Sequence, residues 1–314
     1  MRVNSMEKLL VSPSPHIRND VSTAKIMGHV MIGLLPAVIA ATVIFGGKAL
    51  MLIGFCIAVA VILERISGAI MKRPDTTGDL SAAVTGLIFA LNLPPTLPFW
   101  IALIGLFFAI VVTKMLFGGL GCNFANPAIV GRIVITLSFT SAMTTWSEPF
   151  SSDVTTMATP LASRSADYFD MFIGTTSGCI GETSALALIF GFVYLCAVKV
   201  ITPSTPVAYV GTVALFSWIA GVDPLYQVLA GGLLLGAIFM ATDYVTTPVT
   251  QTGKIIFGIG CGIITCVIRL YGSYPEGVSF SILIMNIVTP YIDMLCRTKP
   301  VGAKKPAKPQ KEGM

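Results

Sequence analysis

Charged side chains are scarce in this chain: Asp, Glu, Lys and Arg make up 11% of 314 residues, where a soluble domain carries about a quarter. So small a polar surface excludes an ordinary water-soluble fold. Seven cysteines (56, 122, 179, 196, 261, 266 and 296) lie in or beside apolar runs without any C-x-x-C pair. A disulfide framework or an iron–sulfur cluster built by this chain alone is therefore not expected, and buried, reduced thiols are. The glycine-rich pieces Gly118-Gly119-Leu120-Gly121 and Gly231-Gly232 fit neither G-x-G-x-x-G after a strand nor a P-loop, so no nucleotide-binding fold is recognisable. The first 23 residues are polar, and no small-residue cleavage site follows the first apolar run. That run is expected to remain in the mature protein.

Hydrophobic residues fill 54% of the sequence, and the mean hydropathy is +0.84. The reading is an all-α polytopic membrane protein. Windows of about 20 apolar residues predict ten spans, near 24–46, 49–70, 80–94, 98–117, 126–143, 183–201, 206–222, 226–242, 255–271 and 277–296. The net charge of +5 comes largely from Arg297, Lys299, Lys304, Lys305, Lys308 and Lys311. This tail reads as a cytoplasmic anchor rather than a nucleic-acid arm. Both termini are expected in the cytoplasm of a cell in whose inner membrane the chain sits.

The predicted organisation has five parts: a cytoplasmic segment (1–23), a first five-helix block (24–143), an outward-facing loop (144–182), a second five-helix block (183–297) and the basic tail (298–314). An odd number of spans per block sets the two blocks in opposite orientations. Weak internal similarity supports two inverted repeats. The run from Ser81 echoes that from Leu229, and a later pair aligns Lys114 with Arg269. In each block the third span is short and ends in a polar, Pro-rich turn, which predicts a broken helix lining a cavity or ligand.

Four groups of residues invite chemistry. The loop Thr155-Thr156-Met157-Ala158-Thr159-Pro160-Leu161 offers hydroxyls in a polar stretch between apolar blocks, and a hydroxyl can form a phosphodiester. Gly181-Glu182-Thr183-Ser184 opens the sixth span; a helix N-terminus there suits an anionic or polar group, and a plain N-cap by Thr183 or Ser184 suits it equally. Asn123 and Asn126, three residues apart, fall on one helical face. They present donors and acceptors to a uracil-like edge, or cap the helix opened by Pro127. Among the acids, Glu64 reads as an interfacial pair with Arg65, while Asp243 and Asp293 are candidates for handling a cation. Lys114 and Arg269 either neutralise an anion or snorkel to the interface.

Taken as an ordered set, these motifs resemble the D-type subunits of Rnf-type ferredoxin:NAD oxidoreductases and their homologue, the B-type subunit of sodium-pumping NADH:quinone reductase. The shared features are Ser12-Pro-Ser-Pro-His16, Asn123-Phe-Ala-Asn126-Pro-Ala, Ala158-Thr-Pro-Leu161, Gly181-Glu-Thr-Ser-Ala-Leu186, Ala241-Thr-Asp-Tyr-Val-Thr-Thr-Pro-Val-Thr250 and Tyr274-Pro-Glu-Gly-Val-Ser-Phe-Ser281. The short N-terminus favours the Rnf side. The resemblance implies that Thr159 carries FMN through its phosphate, attached by a flavin transferase at a (S/T)-G-A-(S/T) signal in which Met157 stands in place of Gly. It further implies FMN near Gly181 to Ser184, a noncovalent riboflavin near Asn123 and Asn126, and cation handling at Asp293. Partner subunits, including a second flavin-bearing subunit and iron–sulfur subunits, would bind ferredoxin and NAD. The chain would relay electrons and couple them to H+ or Na+ transport. Inverted repeats with broken helices also characterise channels and secondary transporters, which carry no flavin.

Overall fold

The computed structural model describes residues 21–73, 75–147, 149–150, 156–157, 161, 166–272 and 277–297. Helices dominate. In the first half these are α1 (Thr23–Phe45), α2 (Gly47–Ile70), α3 (Ser81–Leu91), α4 (Phe99–Leu106, continued as a π-helix over Phe107–Met115), α5 (Pro127–Ser138) and α6 (Thr140–Met143). After a connecting region that contains α7 (Tyr168–Ile173) come α8 (Ala185–Ala197), α9 (Ser204–Ile219), α10 (Pro224–Leu229), α11 (Leu233–Leu235, continued as a π-helix over Gly236–Met240), α12 (Gln251–Tyr271) and α13 (Val278–Leu295).

Four helices, α1, α2, α12 and α13, are long and apolar enough to cross a bilayer. With the family resemblance, they make this a multi-pass membrane protein. Each of the ten predicted intervals holds helix, and the fifth is divided at Phe139 into α5 and α6. The eighth, expected to be broken, holds two helices, α10 and α11, separated by Gly231 and Gly232 in left-handed conformations. The long connection is not structureless: Trp146–Ser147 pairs antiparallel with Thr156–Met157, and α7 follows.

Local chemistry explains the boundaries. Ser22 caps α1 by accepting from the Lys25 N–H. Gly46, at φ 73°, ends α1 and starts α2 in one residue, a backbone state that costs glycine little. Proline stands at the first turn of α5 and α10, capped by Asn126 and Asp223, where its missing N–H is not needed.

Small residues let backbones touch, the usual device where apolar lipid gives helices no hydrophobic reason to associate. A Cβ on Gly191 of α8 would lie 2.2 Å from the Gly33 carbonyl oxygen of α1. One on Gly131 of α5 would lie 2.6 Å from the Gly105 carbonyl oxygen of α4. At the centre, the C-terminal ends of the short helices α3 and α11 meet, with Asn92 Nδ2 donating to Met240 Sδ at 3.4 Å.

Candidate functional site

The short helices α3 and α11 wall a cavity of about 100 Å³ against α1, α8 and the start of α5. Most of its lining is aliphatic, including Val30, Ile88 and Leu195. The polar members are Ser81, Thr85, Lys114, Asn123, Asn126, Thr242 and Asp243. Both π-helical stretches contribute, through Lys114 on one side and Ile238 and Phe239 on the other. A π turn alters the phase of the side chains around a helix and recurs at functional sites.

The two asparagines do different jobs. Asn126 is a structural cap, its Oδ1 accepting from the Ala128 N–H at 3.0 Å and its Nδ2 donating to the Met240 carbonyl at 3.3 Å. Asn123 lies before α5 begins, so the pair does not share a helical face. Its Oδ1 is buried without a hydrogen-bond partner among the described residues. A buried amide oxygen left unpaired carries a desolvation cost of about 1–3 kcal/mol, which a ligand N–H would remove.

Asp243 also lines this cavity and accepts from Thr246 Oγ1 at 3.1 Å. Asp293, on α13, holds the far end of the same loop by accepting from the Val249 N–H at 3.1 Å. Between them, Thr289 Oγ1 donates to the Thr246 carbonyl at 3.0 Å. With the Asn286 amide turned to suit its neighbours, Nδ2 donates to the same carbonyl and Oδ1 accepts from the Asn126 N–H. The loop after α11, the start of α5 and the middle of α13 are thus one hydrogen-bonded unit beside the cavity.

Lys114 and Arg269 both turn inward rather than snorkel. Lys114 Nζ lies 2.7 Å from Glu64 Oε1 and 2.5 Å from Ser81 Oγ. Glu64 is 1% exposed and Lys114 2%, so Glu64 is not the interfacial partner of Arg65 that its neighbour suggests. The buried ammonium draws the carboxylate into the bundle because either charge alone would be far costlier there. Arg269 instead grips backbone: its guanidinium donates to the carbonyls of Gln227 (2.6 Å), Ala230 (3.0 Å) and Gly231 (2.9 Å). Each cation fixes the approach to one of the short helices, Ser81 beginning α3 and Gly231 preceding α11.

A second recess brings Glu182 and Thr183 together with Leu161, Ser177 and Gly231. Ser184 is the N-cap of α8, accepting from the Ala187 N–H at 3.3 Å, so the capping reading holds for it. Glu182 Oε1 accepts from the Cys179 N–H at 3.1 Å. Gly181 docks this turn on the end of α3, its N–H donating to the Leu91 carbonyl at 2.8 Å. Thr159 lies outside the described residues, as do segments 1–20 and 298–314; Leu161, two positions beyond Thr159, touches the recess.

The sequence pattern of the NQR2, RnfD, RnfE family matches residues 10–302. The chain belongs to this family. It is 45% identical over 306 residues to the D-type subunit of the Na+-translocating ferredoxin:NAD+ oxidoreductase complex of Acetobacterium woodii, covering 95% of this chain and 96% of the relative. Identity is 42% to the D-type subunit of the proton-translocating ferredoxin:NAD+ oxidoreductase complex of Clostridium ljungdahlii, over 94% and 96% of the two chains. It is 34% to the corresponding D-type subunit of the ion-translocating oxidoreductase complex of Stutzerimonas stutzeri, over 93% and 95%.

In this NQR2/RnfD/RnfE-family chain, two buried features were not singled out as paired from sequence. One is the Glu64–Lys114 bond between α2 and α4. The other is Arg132 of α5, which donates to Asn92 Oδ1 (2.8 Å), Ser279 Oγ (3.3 Å) and Cys179 Sγ (3.3 Å), tying α3, α13 and the turn before α8 together. A charged residue inside an apolar run signals a buried partner, but a sequence separation of 50, as between Glu64 and Lys114, hides which partner.

Proposed function

We propose that this chain is the D-type membrane subunit of an ion-translocating ferredoxin:NAD+ oxidoreductase, relaying electrons through flavin and coupling the relay to movement of H+ or Na+. The observation that carries the reading is near full-length identity to two D-type subunits, one named as translocating Na+ and one as translocating protons. The quinone-reductase homologue shares the family, but the three relatives above all come from ion-translocating oxidoreductase complexes.

Two flavin positions follow. Thr159 would hold FMN covalently, on a loop whose neighbour Leu161 rests on Gly231; Glu182, Thr183 and Ser177 offer polar groups at that recess. We assign a noncovalent riboflavin to the cavity lined by Asn123 and Lys114, which at about 100 Å³ would have to open to admit the ring system. It is a mostly apolar slot, and its unsatisfied buried amide oxygen fits the imide N–H of an isoalloxazine. Flavin supplies one- and two-electron chemistry when bound. The chain's part is to orient it, exclude water and place Lys114 where negative charge would develop.

In this reading the helices form two inverted five-helix repeats, with both termini in the cytoplasm. Support comes from matched packing. In each half a short third helix is fixed by a cation from the fourth span, Lys114 or Arg269, and the two first spans, α1 and α8, pack on each other. Iron–sulfur subunits and a second flavin-bearing subunit would complete the complex, and a flavin transferase would mature it.

The test is chemical. Protein purified from its native host and denatured should retain yellow, fluorescent flavin on the peptide containing Thr159, with a mass gain of FMN less water. Thr159→Ala should lose this adduct while still inserting into the membrane. Soluble flavin released on denaturation should be riboflavin. A colourless protein in both fractions rejects the electron relay and returns the chain to the channel or transporter class.

A further inference from the structure

A recess of about 160 Å³ lies where α2 ends, and its lining includes Glu64, Arg65, Gly68, Arg73, Asp75 and Thr76. None of these residues lines the cavity assigned to flavin.

The helix sets the recess beside lipid. α2 is long and apolar enough to cross a bilayer and runs to Ile70. Ile62, Ile66 and Ile70, spaced four apart, are each more than half exposed. Residues at that spacing share a helical face, so an acyl-facing stripe leads to the end of the helix. There the chain folds back. Lys72 takes a left-handed backbone at φ 53°, the Arg73 N–H donates to the Gly68 carbonyl at 2.9 Å, and Arg73 Nη1 donates to the Met115 carbonyl at 2.5 Å.

Charge in the recess does not balance. Glu64 and Lys114 cancel at 2.7 Å. Asp75 is held below the usual carboxylate value of 3.8, chiefly by the Thr77 hydroxyl and N–H, with the Arg65 charge adding to them. Its one negative charge stands against two arginines, which leaves one positive charge for a ligand to answer. A carbonyl partner does not neutralise Arg73, and a guanidinium carries five N–H donors.

The recess also holds an acceptor in want of a donor. Glu64, 1% exposed, accepts at Oε1 from Lys114 and from Thr76 Oγ1 at 2.9 Å. Its Oε2 is buried with no hydrogen-bond partner among the described residues, which is unfavourable for a carboxylate. Because Lys114 already neutralises the group, Oε2 lacks a hydrogen and not a charge. A neutral hydroxyl meets that need. The terminal torsion of a glutamate is soft, so the carboxylate can turn Oε2 to the recess while Lys114 keeps Oε1.

We propose that this recess is a headgroup site for an anionic glycerophospholipid whose headgroup carries a hydroxyl, as in phosphatidylglycerol. Its phosphate is held by Arg65 and Arg73, a headgroup hydroxyl donates to Glu64 Oε2, and the acyl chains follow the stripe of Ile62, Ile66 and Ile70. One negative charge answers the one left over, and Arg–phosphate pairs are charge-assisted. Ethanolamine or choline would bring a further positive charge among two arginines and a lysine, and choline has no O–H or N–H to give. Occupancy would brace the end of α2, and through Lys114, which also donates to Ser81 Oγ, the start of α3.

Lipid selectivity of the purified, intact complex is the test. The complex is delipidated in mild detergent and titrated separately with phosphatidylglycerol, phosphatidylpropanol and phosphatidylcholine. Native mass spectrometry then counts the lipid that stays on this subunit when it is released in the gas phase. Phosphatidylpropanol keeps the phosphate charge but has no headgroup hydroxyl. Phosphatidylglycerol should fill one site and bind about tenfold or more tightly than phosphatidylpropanol, the worth of one hydrogen bond to a charged acceptor. Phosphatidylcholine should bind more weakly than either. Arg65→Gln, a change at an exposed side chain, should weaken phosphatidylglycerol by about tenfold.

The comparison of lipids uses wild-type protein, so it holds whether or not a variant folds. Equal binding of phosphatidylglycerol and phosphatidylpropanol removes the Glu64 contact and overturns the assignment. Adducts without a defined stoichiometry, or a phosphatidylglycerol affinity indifferent to Arg65→Gln, overturn it as well. Displacement of the lipid by an equal concentration of free glycerol phosphate would make the ligand a soluble phosphate and refute a bilayer source.

Discussion

Lys114→Met is the most informative stability experiment. The substitution keeps the length and apolar stem of the side chain but removes the ammonium at Glu64, leaving that carboxylate the Thr76 hydroxyl. Breaking one side of a buried pair typically costs about 3–5 kcal/mol, because the surviving charge is stranded. Glu64→Gln should be destabilising as well, since it strands Lys114 with Ser81. Replacing both, as Glu64→Gln with Lys114→Met, removes the stranded charge and should be less destabilising than Lys114→Met alone, despite carrying two changes. The assay is unfolding in mild detergent, followed by intrinsic Trp fluorescence in choline buffer, so that no alkali cation compensates the bare carboxylate. Losses that simply add, with the double variant worse than either single one, would refute the claim that the two groups act as one buried unit.

Other outcomes follow from named contacts. Asn123→Leu should leave the stability of flavin-free protein unchanged or raised, because Oδ1 has no partner to lose among the described residues. The same change should weaken retention of noncovalent flavin by about three- to tenfold, the worth of one neutral hydrogen bond, as measured by fluorescence titration. Gly191→Ala puts a methyl 2.2 Å from the Gly33 carbonyl oxygen and should cost about 1–3 kcal/mol or more by prising α1 from α8. Gly211→Ala, with nothing among the described residues within 4 Å, should be neutral or slightly stabilising in the same unfolding assay.

The Asp223 carboxyl is held below its ordinary value of 3.8, chiefly by the Tyr168 hydroxyl and further by the Tyr226 and Leu225 N–H groups. A depressed acid contributes stability above its unfolded-state pKa and loses it as pH falls through the folded one. Stability should therefore drop on the acid side of pH 3.8, and Asp223→Asn should flatten that limb of the pH–stability curve. An unchanged limb would show that the Tyr168 contact, which joins α7 to α10, contributes nothing.

Membrane residence was legible from composition and run length alone, because about 20 apolar residues and few charges leave a helix nowhere else to go. Family membership was likewise written in ordered local motifs, which read without any coordinates. Capping was partly legible: Pro127 after Asn126 marks a helix start, and so does Ser184 before the apolar run of α8. The same pattern misplaced Asn123, since a spacing of three implies a shared face only inside a helix, and α5 begins after Asn126.

Partnership was decided by the tertiary structure. Glu64 stands next to Arg65 in sequence, and periodicity offered no reason to bond it to a lysine 50 positions away. Packing α2 on α3 and α4 put the carboxylate and the ammonium in one dry place, where neither charge could stay alone. A broken third span was legible in each block, but the place of the break in the eighth interval, at Gly231 and Gly232 rather than at the Pro-rich turn after it, was not, because apolar windows record how greasy a stretch is and not where its backbone turns. Hydrophobicity is a sum over neighbours in the chain; charge pairing and cavity shape depend on neighbours in space.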